Sequence, residues 1–202
     1  VPLQHGLIGQ ETTGAGGFAK ALRTIPVMLA IAREMEEVAP NATLVNFTNP
    51  AGLITEAVQK HTRIKTVGLC NIPYGTKVRI AELLGVAPQR ITLDWIWLNH
   101  LNWVRRVFLD GKDVWENFFP RLVAAADTDT RWGFSAQLLQ DQQLLPCSYL
   151  NYFYYPARQL AKLQQSARTR GEEVSEIEAQ LMQLYRDEKL TSKPQLLEKR
   201  GG

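Results

Sequence analysis

The sequence predicts an α/β fold built on a parallel sheet and followed by a mainly helical α+β portion. Short apolar runs at 43–47 (TLVNF), 64–69 (IKTVGL) and 91–98 (ITLDWIWL) alternate with stretches of helical periodicity. The connections are brief, and each run ends on a polar turn: TNPA, CNIP and NHLNW. Strand, helix, strand, helix, strand in this rhythm is the pattern of parallel strands joined by crossover helices.

Residues 10–17 (QETTGAGG) are polar and Gly-rich, a loop or a loop-to-helix junction. From Ala19 to Val38, Leu22, Ile25, Leu29, Ala32 and Met35 recur at helical spacing. Pro26 falls inside that pattern, so a kink or a first turn capped by Thr24 is expected there. TNPA opens a second helix reaching His61, and GTKVRIAELLG a third that Gly85 stops. ITLDWIWL, β-branched and aromatic, is the third strand. VRRVFL with the Asp110-Gly111 turn predicts an antiparallel hairpin, and helices dominate beyond Val114. The charged C-terminal stretch places Val174, Ile177, Leu181 and Leu184 at 3-4-3 spacing, an amphipathic helix packing on its own domain or serving a subunit interface.

The composition is that of a globular protein, 45% hydrophobic and 21% charged over 202 residues. A net charge of +3 is too mild to argue for nucleic acid. No apolar stretch is expected to reach the ~18 residues of a membrane span. Two cysteines, Cys70 and Cys147, fit a reduced, cytoplasmic protein better than a disulfide framework. The chain opens without methionine and closes on EKRGG, so both ends are expected to be cut.

Polar groups share one structural address. Asn49 follows the first run, Cys70 and Asn71 the second, His100 the third. In an open parallel sheet, ligands bind beyond the carboxyl ends of the strands. That layout brings a thiol, an imidazole and two carboxamides to one crevice. Cys70 and His100 are donors that suit a divalent transition metal, and two protein ligands leave positions open for Lewis-acid chemistry. Each residue also has a plainer role. Cys70 alone is an inert thiol, and His100 near Trp95, Trp97 and Trp103 a hydrogen-bonded core residue. Asn49 before Pro50 is equally a cap or turn former. GAGGF (14–18) is not GxGxxG and reads as a tight turn where backbone packs closely. Glu11 beside it is either a solvated acid or a hydrogen-bond partner in the site. His5, His61 and Cys147 have nothing nearby to complete a site.

GQETTGAGGFAKALRTIP, FTNPA, GLCNIP and LNHLNW, in this order and spacing, resemble glycoside hydrolase family 4. The resemblance implies a Rossmann-type domain like that of lactate and malate dehydrogenases. Residues 1–100 would be its C-terminal, NAD-binding part, and 101–202 part of an α+β substrate and oligomerisation domain. It implies NAD and a divalent metal, Mn2+ by expectation, held by Cys70 and His100. Asn49, Asn71 and Glu11 are the implied sugar contacts, with Asn49 also near the nicotinamide. The implied reaction oxidises the C3 hydroxyl of a phosphorylated glucoside, removes the C2 proton with a tyrosine base and eliminates the aglycone. Water then adds and C3 is reduced, in place of the usual pair of carboxylates. That tyrosine is expected beyond Gly202, and the Gly-rich dinucleotide loop before Val1. CN followed by a small apolar residue and Pro resembles the 6-phospho-β-glucosidase branch. The alternatives are a 6-phospho-α-glucosidase and, through the Asn-Pro turn, a hydroxy-acid dehydrogenase. Homo-oligomers are implied; a membrane or nucleic-acid partner is not.

Overall fold

The structure, a computed structural model, describes residues 2–186 and 194–196. It divides into two compact units, Val1–Pro156 and Ala157–Gly202.

The first unit opens with helix α1 (Gly14–Val38), which runs unbroken through Pro26. It buries Gly17, Ala21 and Ala32, while Leu22, Val27 and Ile31 are exposed. By length and composition alone α1 is long and apolar enough to cross a membrane, contrary to the expectation that no stretch would be, because the charged residues in it do not offset its mean hydropathy of 1.3. Strand β1 (Thr43–Asn46), helix α2 (Ala51–His61) and strand β2 (Lys65–Gly68) follow, with β1 and β2 parallel and in register from Thr43↔Lys65 to Asn46↔Gly68. Ile54 and Val58 of α2 are fully buried, and α2 packs on both β2 and α1. Helix α3 (Ile72–Leu84) then ends on Gly85 in the left-handed conformation, as the sequence predicts.

Strand β3 (Ile91–Leu98) departs from expectation. It is not a third parallel strand but pairs antiparallel with β4 (Leu101–Leu109), in a separate sheet that includes β5 (Lys112–Asp113) and β6 (Leu145–Pro146). The cause is the connection: only Asn99 and His100 separate β3 from β4, and two residues can join antiparallel strands but never parallel ones. The turn at Asp110-Gly111 makes the expected second hairpin.

Helix α4 (Trp115–Ala126) starts where Asp113 Oδ1 accepts from the Trp115 N–H at 2.8 Å. Its buried residues, Trp115, Phe118, Phe119, Leu122 and Ala126, follow helical spacing and form one stripe. That stripe meets Ile80, Ile91, Val104 and Val107 together with Leu139 of α5 (Ala136–Gln142) in a single core cluster. The short helix α6 (Asn151–Tyr154) follows β6.

The second unit carries α7 (Pro156–Gln165) and α8 (Arg170–Leu184). Thr169 caps α8 through a capping box with Glu172. Of the apolar stripe on α8, Leu181 is buried, Val174 and Ile177 are half-buried, and Leu184 is exposed.

Candidate active site

The turn after β1 is built around Asn46. Its buried side chain donates to Thr48 O (3.3 Å), Ala51 O (3.3 Å) and Thr55 Oγ1 (3.2 Å), and its Oδ1 accepts from Thr48 N (3.0 Å). One carboxamide therefore ties the strand, the turn and the first turn of α2 together and fixes Asn49. From there Asn49 Nδ2 donates to Glu11 Oε1 at 2.8 Å, and Glu11 Oε2 accepts from Lys20 Nζ at 2.8 Å. Burial pushes the Glu11 carboxyl up, but the hydrogen bonds from Lys20 and Asn49 outweigh it and leave the group below its ordinary value. Glu11 is thus not merely a solvated acid.

Cys70 is placed by the end of β2. Leu69 N donates to Asn46 O at 2.9 Å, continuing the parallel ladder one residue past the strand. Gly68 lets this segment lie close to α2: a Cβ there would sit 2.6 Å from Thr55 Oγ1. Asn71 occupies the N-cap position of α3 without capping it, so its amide is free of that duty.

His100 reaches Cys70 from the other sheet. It is the second residue of the β3–β4 turn, with φ 64°, a conformation that favours glycine and that His adopts more readily than most residues. Its Nε2 lies 3.4 Å from Cys70 Sγ. Metal–nitrogen and metal–sulfur bonds of about 2.1 and 2.3 Å would subtend about 100° across that 3.4 Å, between the octahedral and tetrahedral angles. The donor set and its spacing therefore fit one divalent ion. Among the described residues no third His, Cys, Asp or Glu joins them, which leaves coordination positions for ligand oxygens. Burial pushes the His100 pKa down, partly opposed by the Glu11 charge, a shift in the direction of the neutral imidazole that a metal ligand requires.

Tyr149 completes the cluster, and the sequence reading did not find it. Strand β6 lies along β4 at Trp103↔Pro146, and Cys147 N donates to Asn102 O at 2.9 Å. The one-turn helix at Ser148–Leu150 then lays the Tyr149 ring flat on His100, with centroids 3.8 Å apart and planes 6° from parallel. Burial raises the Tyr149 pKa, and so does the nearby Glu11 charge. A dication at Cys70 and His100 would oppose that shift. The run YLNYFYY hid the residue among four tyrosines; its one signal was its place just after Cys147.

The remaining expectations divide. Cys147 is buried, and burial pushes its thiol up, consistent with an inert role; His5 and His61 are exposed and outside the cluster. GAGGF forms the start of α1, and a Cβ on Gly16 would lie 2.3 Å from Gln10 O, so the close backbone packing expected there is against the preceding loop.

A thiol–imidazole pair thus lies between the two sheets, with an acid–amide pair and a stacked phenol beside it. The chain belongs to glycosyl hydrolase family 4: the family 4 glycosyl hydrolase profile matches residues 1–86 and that of the family 4 glycosyl hydrolase C-terminal domain matches residues 96–202. It is 42% identical over 211 residues to the probable 6-phospho-beta-glucosidase of Bacillus subtilis, covering all of this chain and 48% of that protein. To the 6-phospho-alpha-glucosidase 1 of Lacticaseibacillus paracasei it is 33% identical over 174 residues, 77% of this chain and 39% of that protein. Among solved structures, the 6-phospho-beta glucosidase of Thermotoga maritima with manganese, NAD+ and glucose-6-phosphate superposes with a TM-score of 0.80 and 37% identity, over all of this chain and 47% of that one. The chain spans about half the length of the curated relatives it matches.

Proposed function

We propose that this protein hydrolyses 6-phospho-β-glucosides in the cytoplasm, as a homo-oligomer that uses NAD and a manganese-type ion. The approach of Cys70 Sγ to His100 Nε2 at 3.4 Å in a family 4 chain carries this reading. When bound, the dinucleotide supplies a hydride acceptor for the sugar and the ion a Lewis acid for its oxygens. Cys70 and His100 are the residues that would hold the ion. Asn49, buttressed by Glu11, and Asn71 orient sugar hydroxyls, and Asn49 is also our candidate for the nicotinamide side of the sugar. A carboxamide can donate to and accept from a hydroxyl but cannot act as a general acid, so Asn71 leaves protonation of the leaving group to solvent or another residue. We assign the acceptance of the C2 proton to the Tyr149 phenol oxygen, because among the described residues Tyr149 is the tyrosine stacked on the His100 ring. This assignment stands in place of the tyrosine that the resemblance implied beyond Gly202.

The 6-phospho-α-glucosidase reading keeps support from the relatives of that name. The hydroxy-acid dehydrogenase reading loses ground to family membership, since such an enzyme accumulates NADH whereas the glycosidase returns its hydride. Release of aglycone from 6-phospho-β- and 6-phospho-α-glucosides, measured with NAD+, Mn2+ and a reductant, decides among them. A β preference that needs both cofactors is expected; an α preference, or equal turnover without either cofactor, refutes the proposal. Tyr149→Phe should keep metal affinity and lower turnover by about 100-fold or more. It should also abolish exchange of the C2 hydrogen with deuterated solvent, and exchange at the wild-type rate would remove Tyr149 from the role.

A further inference from the structure

Two buried polar atoms on the β3–β4 hairpin have no partner among the described residues, and they are of complementary kind. One is His100 Nδ1 and the other is Asn102 Oδ1. Both residues are 8% exposed. A folded protein rarely leaves buried polar groups unmatched, so each calls for an explanation.

The chemistry of the pair supplies one. Nε2 is the ring atom that faces Cys70 Sγ at 3.4 Å, so its lone pair must be free to receive an ion or the thiol proton. A neutral imidazole has one N–H, and with Nε2 free that hydrogen sits on Nδ1. Nδ1 is then a donor in need of an acceptor. The Tyr149 ring, stacked 3.8 Å away, fixes the plane of the imidazole but offers nothing to its edge. The Asn102 carboxamide oxygen is an acceptor in need of a donor. His100 directly precedes β4 and Asn102 is the second residue of that strand, on the face where Val104 is buried. The Asn102 main chain is pinned, since its O accepts from Cys147 N at 2.9 Å and the residue is paired with Trp97 across the hairpin.

The other buried side-chain atoms without a partner among the described residues are placed differently. Trp103 Nε1 belongs to the next strand position, which faces the opposite side of the sheet. Trp132 Nε1 lies in the segment between α4 and α5. Thr12 Oγ1 lies beside the Tyr149 phenol.

We propose that Asn102 is a positioning residue for the metal ligand: its Oδ1 accepts, through one bridging water, the hydrogen of His100 Nδ1. The imidazole is thereby held in the tautomer whose Nε2 lone pair faces Cys70. An outer partner of this kind orients a ligating histidine and raises its basicity. A buried water supplies the bridge where two polar groups make no direct bond. The choice of tautomer belongs to the protein before any ion binds; only the ion rests on the function proposed above.

Nitrogen-15 correlation spectra of the metal-free protein read the tautomer, with His100→Gln separating the His100 signal from those of His5 and His61. Above the histidine titration range, the wild type is expected in the Nδ1–H form. Asn102→Leu, similar in size and without an acceptor, should shift His100 toward the Nε2–H form and weaken Mn2+ binding by about tenfold or more. Asn102→Asp keeps an oxygen at the same place. It should hold the Nδ1–H form and recover most of the Mn2+ affinity, a rescue that a merely structural role would not give. Asn102→Ala carries the same test should the leucine variant fail to fold, and Thr12→Val should leave the tautomer unchanged. A wild type in the Nε2–H form, or an unaltered Nδ1–H form in Asn102→Leu and Asn102→Ala, would overturn the proposal. So would a shift produced by Thr12→Val alone, which would give the acceptor role to Thr12. If Mn2+ does not bind yet the tautomer still depends on Asn102, the metal reading fails and the hold on the imidazole stands.

Discussion

Around the β3–β4 sheet, Phe118, Leu122, Leu139, Val104 and Val107 are completely buried, whereas around the β1–β2 pair Val45, Phe47, Val67 and Leu69 are between 46% and 57% exposed. The first region has one continuous core fed by α3, α4 and α5; the second is a two-stranded sheet covered by α2. The candidate-site cluster draws on both. His100 and Tyr149 come from the packed region, Asn49 and Cys70 from the thin one. Packing thus fixes one pair of groups, and local hydrogen bonds fix the other. The difference teaches that stability and site geometry are separable in this chain: the residues that hold the fold are not those that hold Cys70.

The largest effect should come from the packed side. Phe118→Ala removes a fully buried ring and leaves a cavity, at a cost of about 3–5 kcal/mol. Phe47→Ala, at a residue 57% exposed, should stay within about 0.5 kcal/mol. Urea unfolding of the two variants measures the contrast directly. Comparable losses would mean that the exposed face of the β1–β2 pair is covered in solution, and the comparison would break.

Asn46 offers a sharper cut. Asn46→Ala strips the turn after β1 of its central hydrogen bonds and leaves buried backbone groups unpaired, for a loss of about 1–3 kcal/mol. Because the same turn sets Asn49, and Leu69 N reaches back to Asn46 O, Mn2+ affinity should fall while the β3–β4 core stays intact. Metal titration alongside near-ultraviolet circular dichroism checks this. Loss of both signals together would show that the two regions unfold as one.

The same contrast governs what the sequence reveals. Elements whose signal is local were legible: the helix stopped by Gly85, the Asp110-Gly111 hairpin and the parallel β1–β2 pair around Asn-Pro and Cys-Asn turns. The direction of β3 was not, because ITLDWIWL looks the same in a parallel or an antiparallel sheet and only the two-residue turn settles it. Cys70 and His100 were found as a pair by their chemistry, although His100 arrives from a hairpin turn and not from the end of a parallel strand. The place of Tyr149 against His100 was hidden because it depends on β6 pairing with β4, more than 40 positions earlier in the chain, and no periodicity encodes that contact.

The smallest expected effect concerns charge in the thin region. Glu11 joins the loop before α1, Lys20 on α1 and Asn49 after β1, all by side-chain bonds. Its pKa is lowered in the folded state, so its contribution is fully present above the ordinary carboxylate value of about 4.3 and fades as pH falls through the depressed one. The pair with Lys20 is partly exposed, 32% and 51% for the two side chains, so solvent screening holds its worth below about 1 kcal/mol. Glu11→Gln keeps the size and one acceptor but loses the charge. Wild type should therefore exceed the variant slightly in stability at neutral pH, and the two should converge in acid. Chemical denaturation at a series of pH values reads this convergence. An offset that persists unchanged into acid would show that Glu11 holds the turn by shape and hydrogen bonding rather than by charge, so that the thin region, like the packed one, owes little to electrostatics.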